Sequence, residues 1–307
     1  MRRVAPLIVA ASSLLSTPAL ADDVDRVPAQ DEAARHQIDR TWLYGDDGRV
    51  AAPFTVIGTT SLSYTNVSSS PSRIIDAGDA PAGCAAPCNR YNALGGNTGT
   101  PGAMMQVGGE VGLLPRVSVL ALAQVGLGAT DLAPAGAVGA IAGLRVQLLP
   151  PEWRHLHLAV SGGYLRQAWQ GPAYDDASDT WHAGSPTGAN GAWGQVALTG
   201  DVGPVRLGGT VHGEHVFANY RDGVDVMVQA GASYRVAGSF RAGVEYVGQD
   251  LEETFMAAAE GGARHLIGPV ASLQLLGERL TVVSGPAVGL TTTSPTFVYR
   301  LAASYGF

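Results

Sequence analysis

From Phe54 to the last residue, apolar and polar positions alternate with a period of two, in runs of about 9–14 residues. One run sets Met105, Val107, Val111 and Leu113 against Gln106 and Glu110. Another sets Val117, Val119, Ala121, Ala123 and Val125 against Ser118 and Gln124. A third sets Val205, Leu207 and Val211 against Arg206, Thr210, His212 and Glu214. The series closes on FVYRLAASYGF, where Phe297, Tyr299, Leu301, Ala303, Tyr305 and Phe307 oppose Val298, Arg300, Ala302, Ser304 and Gly306. Counted this way, the chain predicts twelve strands, the first around Leu62 and Tyr64.

The connections carry a second pattern. Long gaps near 67–102, 129–136, 168–191, 218–224, 250–263 and 291–296 alternate with tight links. These links are LLPR (113–116), LLPPEWR (148–154), DVGPV (201–205), VAGS (236–239) and LGER (276–279). Their Pro, Gly and Asp residues are turn formers. An even strand count, short turns at one end and long loops at the other predict an all-β fold: a transmembrane antiparallel β-barrel, wound as an up-and-down meander. Hydrocarbon offers backbone groups no partner, so only helices and closed barrels span it. A soluble two-sheet sandwich also alternates, but does not require strands of about 9–11 residues or the long/short rhythm of loops. A helical membrane protein is excluded, because VSVLALAQVGLGA and LAPAGAVGAIAGL are each shorter than the ~20 residues a spanning helix needs. Tyr64, Trp169, Trp193, Phe217, Phe240, Tyr299, Tyr305 and Phe307 fall near strand ends and are expected to form interfacial girdles.

In its terminal strand the chain resembles the bacterial outer-membrane β-barrel class, in a porin-like form. Such proteins end on Phe after an alternating aromatic or apolar series, as in Tyr299, Leu301, Ala303, Tyr305, Phe307. The resemblance implies that Tyr305 and Phe307 act as the assembly signal read by the barrel-assembly machinery, and that lipid of the outer membrane surrounds the barrel. It covers residues 54–307 at the level of architecture and reaches no particular functional family.

The N-terminus agrees with export. MRRVAPLIVAASSLLSTPALA has a basic start, an apolar stretch and an Ala-Leu-Ala end before Asp22, the layout of a signal peptide. Three parts follow: a signal peptide at 1–21, a polar lead-in at 22–52 expected in the periplasm, and the barrel at 53–307. Both termini of the mature protein are then periplasmic. An oxidising compartment permits a disulfide. Cys84 and Cys88, the 2 cysteines, are the candidates for a local bridge, since their CxxxC spacing is not the CxxC of a redox motif.

Composition adds little beyond this. The chain of 307 residues is 46% apolar and 15% charged, with a net charge of -7. All 19 basic residues are Arg, and they are not clustered as a nucleic-acid surface requires. The face assignment sends Glu110, Arg145, His157, Asp201, Arg206, His212, Glu214, Arg235, Arg241, Glu245 and Arg300 into the lumen. A hydrated pore lined by both signs of charge would pass small polar solutes, as in porins. The competing reading is an ion-pair network that blocks the lumen, leaving a structural barrel or one whose outer loops bind something. A third reading is a surface hydrolase built on YDDASDTWH (174–182), which gathers Asp175, Asp176, Asp179 and His182. That loop resembles the acidic and His pairs of omptin-type proteases, or a calcium-binding loop, and a solvated polar loop is the plainer reading. His212 and His215 cannot share a metal, because residues three apart on a strand face opposite ways. No His is followed by Ser two positions on, the pair that outer-membrane lipid hydrolases use, and no cofactor fingerprint or metal set is present. The expectation is therefore a channel without catalytic residues, cofactor or metal.

Overall fold

The computed structural model describes Trp42 and residues 45–66, 91–92, 96–97, 102–127, 136–150, 153, 155–168, 173–175, 180–182, 188–217, 224–249, 251, 263–291 and 294–307. The proposed signal peptide, Cys84, Cys88, Trp169, Asp176 and Asp179 lie outside the described residues.

The chain forms a closed 12-strand antiparallel barrel in meander order. The strands are β1 (Val56–Asn66), β2 (Gly102–Leu114), β3 (Val117–Gly126), β4 (Gly136–Gln147), β5 (Leu156–Gln167) and β6 (Ala189–Val202). They continue as β7 (Val205–Val216), β8 (Asp225–Ala237), β9 (Phe240–Gln249), β10 (Arg264–Leu275), β11 (Leu280–Gly289) and β12 (Phe297–Gly306). Two small ladders, Tyr91–Asn92 with Gly96–Asn97 and Ala173–Asp175 with Thr180–His182, sit in long loops.

Closure is made by β1 and β12, paired from Ile57↔Gly306 to Asn66↔Phe297 with Leu62 opposite Leu301. The C-terminal strand can therefore be the last element without leaving an edge. The short links all lie at one end, beside the start of β1 and the end of β12. Val202 pairs with Val205 across Gly203-Pro204, and Ala237 with Phe240 across Gly238-Ser239. Gly203 (φ 57°) and Gly238 (φ 48°) take up the left-handed backbone that these two-residue turns demand.

Exposure follows the alternation strand by strand. Along β6 each odd residue from Ala189 to Thr199 is buried, while the even ones from Asn190 to Leu198 are exposed. Val107, Val111, Val119, Leu144, Val196, Leu198, Leu207, Val211 and Leu301 form an apolar outer wall. Apolar side chains exposed on every strand of one closed sheet need an apolar surrounding.

Trp193 departs from the expectation for girdle aromatics. It shares parity with Gln195 and Thr199, is buried, and points into the barrel. Parity decides this, because a strand cannot turn one side chain outward without shifting its whole register. Tyr64, Phe217, Phe240, Tyr299 and Phe307 are exposed as anticipated.

Since the outer wall sits in hydrocarbon, an Arg at mid-wall should be costly while inward Arg residues are tolerated. Val196→Arg is expected to lower the unfolding free energy by about 2–4 kcal/mol, measured by reversible denaturation in lipid vesicles. Gln195→Arg, one residue away and inward, should cost less than half of that.

Candidate functional site

The inward residues of the short-turn half meet a strap, Trp42 and residues 45–52, which runs through the lumen before β1 begins. At one end the Trp42 indole packs with Val270, Val283 and Ala302 of β10, β11 and β12. It lies flat enough on β7 and β8 that a Cβ on Gly208 or Gly231 would overlap its ring. The Gly45 N–H donates to Glu245 Oε1 at 3.1 Å, and the Asp46 N–H to Thr210 Oγ1 at 3.0 Å. Further on, the Gly48 N–H donates to Thr199 Oγ1 (3.3 Å) and the Ala51 N–H to Glu110 Oε1 (2.9 Å). The strap then leaves along β2, where Pro53 bridges Gly112. The lead-in thus does not remain outside the barrel over these residues.

Side chains of the strap join the wall's charges. Asp46 Oδ2 lies 2.9 Å from Arg145 Nη2 and accepts from Gln195 Nε2 at 3.0 Å. Arg145 also reaches Glu110 at 3.2 Å and the Asp47 carbonyl. Arg49 Nη2 sits 3.0 Å from Asp201 Oδ2, and Asp201 is held in a fork by Arg206 Nε (2.7 Å) and Nη2 (3.0 Å). A planar guanidinium against a carboxylate gives the strong two-bond geometry. Each wall carboxylate at the centre of this network therefore has a wall Arg as well as a strap partner.

The structure places the lumen residues expected from the sequence as follows. Glu110, Arg145, His157, Arg206, His212, Glu214, Arg241 and Glu245 are buried inward groups, and Asp201 and Arg300 are partly buried among them. Glu110, Arg145, Asp201, Arg206 and Glu245 are brought together by the strap. Arg300 instead bonds Ser61 and Gln106, near the barrel seam. His212 and Glu214 form a separate pair at 2.8 Å, with Trp193 stacked on the imidazole at 5.9 Å. Both side chains are 0% exposed, so no substrate reaches them in this state. Arg235 corrects the expectation: it is exposed, three residues before the Gly238-Ser239 turn, and stands on the rim outside the buried set. At the end of a strand parity no longer implies enclosure. Tyr305 and Phe307 meet edge to face at 4.8 Å. Among the described residues no group of three or more His, Cys, Asp or Glu could hold a metal ion.

Two features were not anticipated. The strap is one, although GDDGRV (45–50) carries a signal: two Gly, two Asp and an Arg immediately before the first strand of a barrel too wide to fill itself. The other is an apolar collar in the long-loop half. On one side Ile141, Leu165, Ala189, Trp193 and Val216 pack together with Leu120 and Leu122. On the other, Met227, Val247, Leu266, Ala287 and Val298 form a matching arc. The alternation gives way there to runs that are apolar on both faces, as in VLALAQV (119–125).

Among solved structures, an outer-membrane channel from Pseudomonas putida F1 is similar at 11% identity and a TM-score of 0.52, covering 85% of this chain and 98% of the other. The β domain of a Bordetella autotransporter gives 10% identity and a TM-score of 0.45, with 82% and 99% covered. A FadL homologue of Pseudomonas aeruginosa gives 9% and 0.40, with 89% and 96% covered. The fold is that of bacterial outer-membrane β-barrels. No protein-family model and no curated protein matches the chain.

Breaking the network at its centre should release the strap. Arg145→Leu leaves Glu110 and Asp46 without their shared cation, a loss of about 3–5 kcal/mol for a buried pair. Trypsin should then cut after Arg49 in the folded variant and spare it in the parent protein, read by mass spectrometry of the fragments.

Proposed function

We propose that this protein is an outer-membrane channel for small polar solutes whose axial path is closed, in the state described, by its own N-terminal strap. In this reading the signal peptide is removed, the short turns and both termini face the periplasm, and the long loops face outward. The strap is then a stopper inserted from the periplasmic side.

The observation that carries the reading is the way residues 45–51 are held. They bind through separate hydrogen bonds and ion pairs, each neutral bond having a net worth of about 0.5–1.5 kcal/mol and charged ones about 1.5–3. The wall's own pairs, Arg206 with Asp201 and Arg145 with Glu110, persist when the strap leaves. Withdrawal therefore exposes a hydrated, ion-paired passage of both signs instead of orphaned charges. A barrel filled for stability alone would gain more from apolar packing than from ion pairs.

A second reading is favoured by the depth of burial: Thr199 and His212 are 0% exposed, Glu214 1% and Arg206 2%. Such a lumen suits a structural barrel that never opens. Planar-bilayer recordings separate the two. The parent protein should show rare, small openings, and deletion of residues 42–52 should give steady steps at least fivefold larger. Silence from a folded deletion variant overturns the channel reading and leaves the structural one. Wide, steady steps from the parent overturn the role given to the strap.

A further inference from the structure

Among the described residues, one ladder of the barrel wall lacks three successive rungs. Between β10 and β11 the register runs Leu266↔Gly289, Ile267↔Val288, then resumes at Ala271↔Ser284 and continues to Leu275↔Leu280. The three missing rungs are those of Gly268, Pro269 and Val270 against Ala287, Pro286 and Gly285, so the constant register places Pro269 opposite Pro286. The other ladders are continuous apart from one-residue irregularities. On their far sides both prolines are regularly paired, Pro269 with Val244 and Pro286 with Tyr299. Their hydrogen-less nitrogens therefore belong to the shared seam, where an opposed pair would otherwise exchange two N–H···O bonds.

Proline is excluded from central strands for this reason, and hydrocarbon gives freed carbonyls no substitute donor. Here the same Gly-Pro step occurs on both strands, at 268–269 and 285–286, midway along each. The two backbones still approach closely here, since a Cβ on Gly268 would overlap the Pro286 carbonyl. Behind the seam the inner face is apolar: Leu266 and Val270 on β10, Val283 and Ala287 on β11. Above it is the arc of the collar, and below it Trp42 packs on Val270, Val283 and Ala302.

We infer that the Pro269/Pro286 seam is a lateral portal, through which small apolar molecules entering from the long-loop end pass sideways from the collar into the membrane. The collar desolvates such a molecule, the polar strap bars its way down, and the unbonded rungs are where the wall parts at least cost. This route is separate from the axial path and does not depend on the strap opening. No bond is made or broken covalently; the portal only changes the environment of its cargo.

The test restores the two missing donors. Pro269→Val with Pro286→Val allows both rungs to bond and should not impair folding, because valine favours strands. The probe is N-phenyl-1-naphthylamine, which fluoresces in hydrocarbon, added to cells whose outer leaflet otherwise excludes it. Expression of the parent protein should raise its entry rate, and the double variant should lower that gain at least tenfold. Amides of residues 266–271 and 284–288 should become protected from hydrogen exchange. Axial conductance, read with residues 42–52 deleted, should be the same with and without the proline changes. An unchanged probe rate with newly protected amides overturns the portal, as does a parallel fall in probe entry and axial conductance.

Discussion

The backbone's need for hydrogen-bond partners in a medium without water governs this molecule. A closed ladder meets that need, and closure through Leu62 and Leu301 leaves no edge to cover. Closure then dictates the alternation, since each strand must show one face to lipid and the other to the interior. It also dictates size. Twelve strands enclose more space than inward side chains alone fill, and the chain meets that excess with its own polypeptide. The strap is thus a consequence of the wall, as much as an addition to it.

What fills the interior differs between its two halves, and electrostatics explains the division. Charges out of water need partners close by. In the short-turn half Arg145 takes Glu110 from the wall and Asp46 from the strap, and Asp201 takes Arg206 and Arg49. In the long-loop half the buried charges are fewer, His212, Glu214, Asp225 and Arg264. Ile141, Leu165, Val247 and Leu266 take the inward positions, and the one His–Glu pair is capped by the Trp193 ring. A solute crossing the barrel would leave an apolar layer for an ionic one.

Period-two alternation is a local property, readable from any run of residues, which is why strand number, order and the orientation of Glu110 or Arg206 were legible in the sequence. Trp193 shows the limit of reasoning by residue type: an aromatic near a strand end suggested a girdle, while its parity with Gln195 already placed it inside. Arg235 shows the opposite limit, where parity was right but the strand had reached the rim. The strap was hidden for a different reason. Its contacts, such as Gly45 with Glu245 or Ala51 with Glu110, join residues far apart in sequence, and a polar stretch before a domain looks the same whether it sits in water or in a polar lumen. The paired Gly-Pro steps were visible as letters, but their opposition exists only once β10 and β11 are in register.

That register also joins the two unusual parts of the structure. Trp42, at the start of the strap, packs on Val270 of β10, which lies on one of the unbonded rungs, and on Val283 of β11, which pairs just beyond them. An indole there contributes apolar contact where the ladder contributes none, and its place over Gly208 and Gly231 is available because neither residue has a side chain. The strap therefore binds the wall in two chemically distinct ways. Its ionic middle holds to β2, β4 and β6, whose ladders carry at most one-residue irregularities, and its aromatic end backs the stretch of wall where three rungs are missing. A wall that lacks two ladder donors in the middle of a membrane gains apolar contact from such backing, which links the position of Trp42 to the seam it covers.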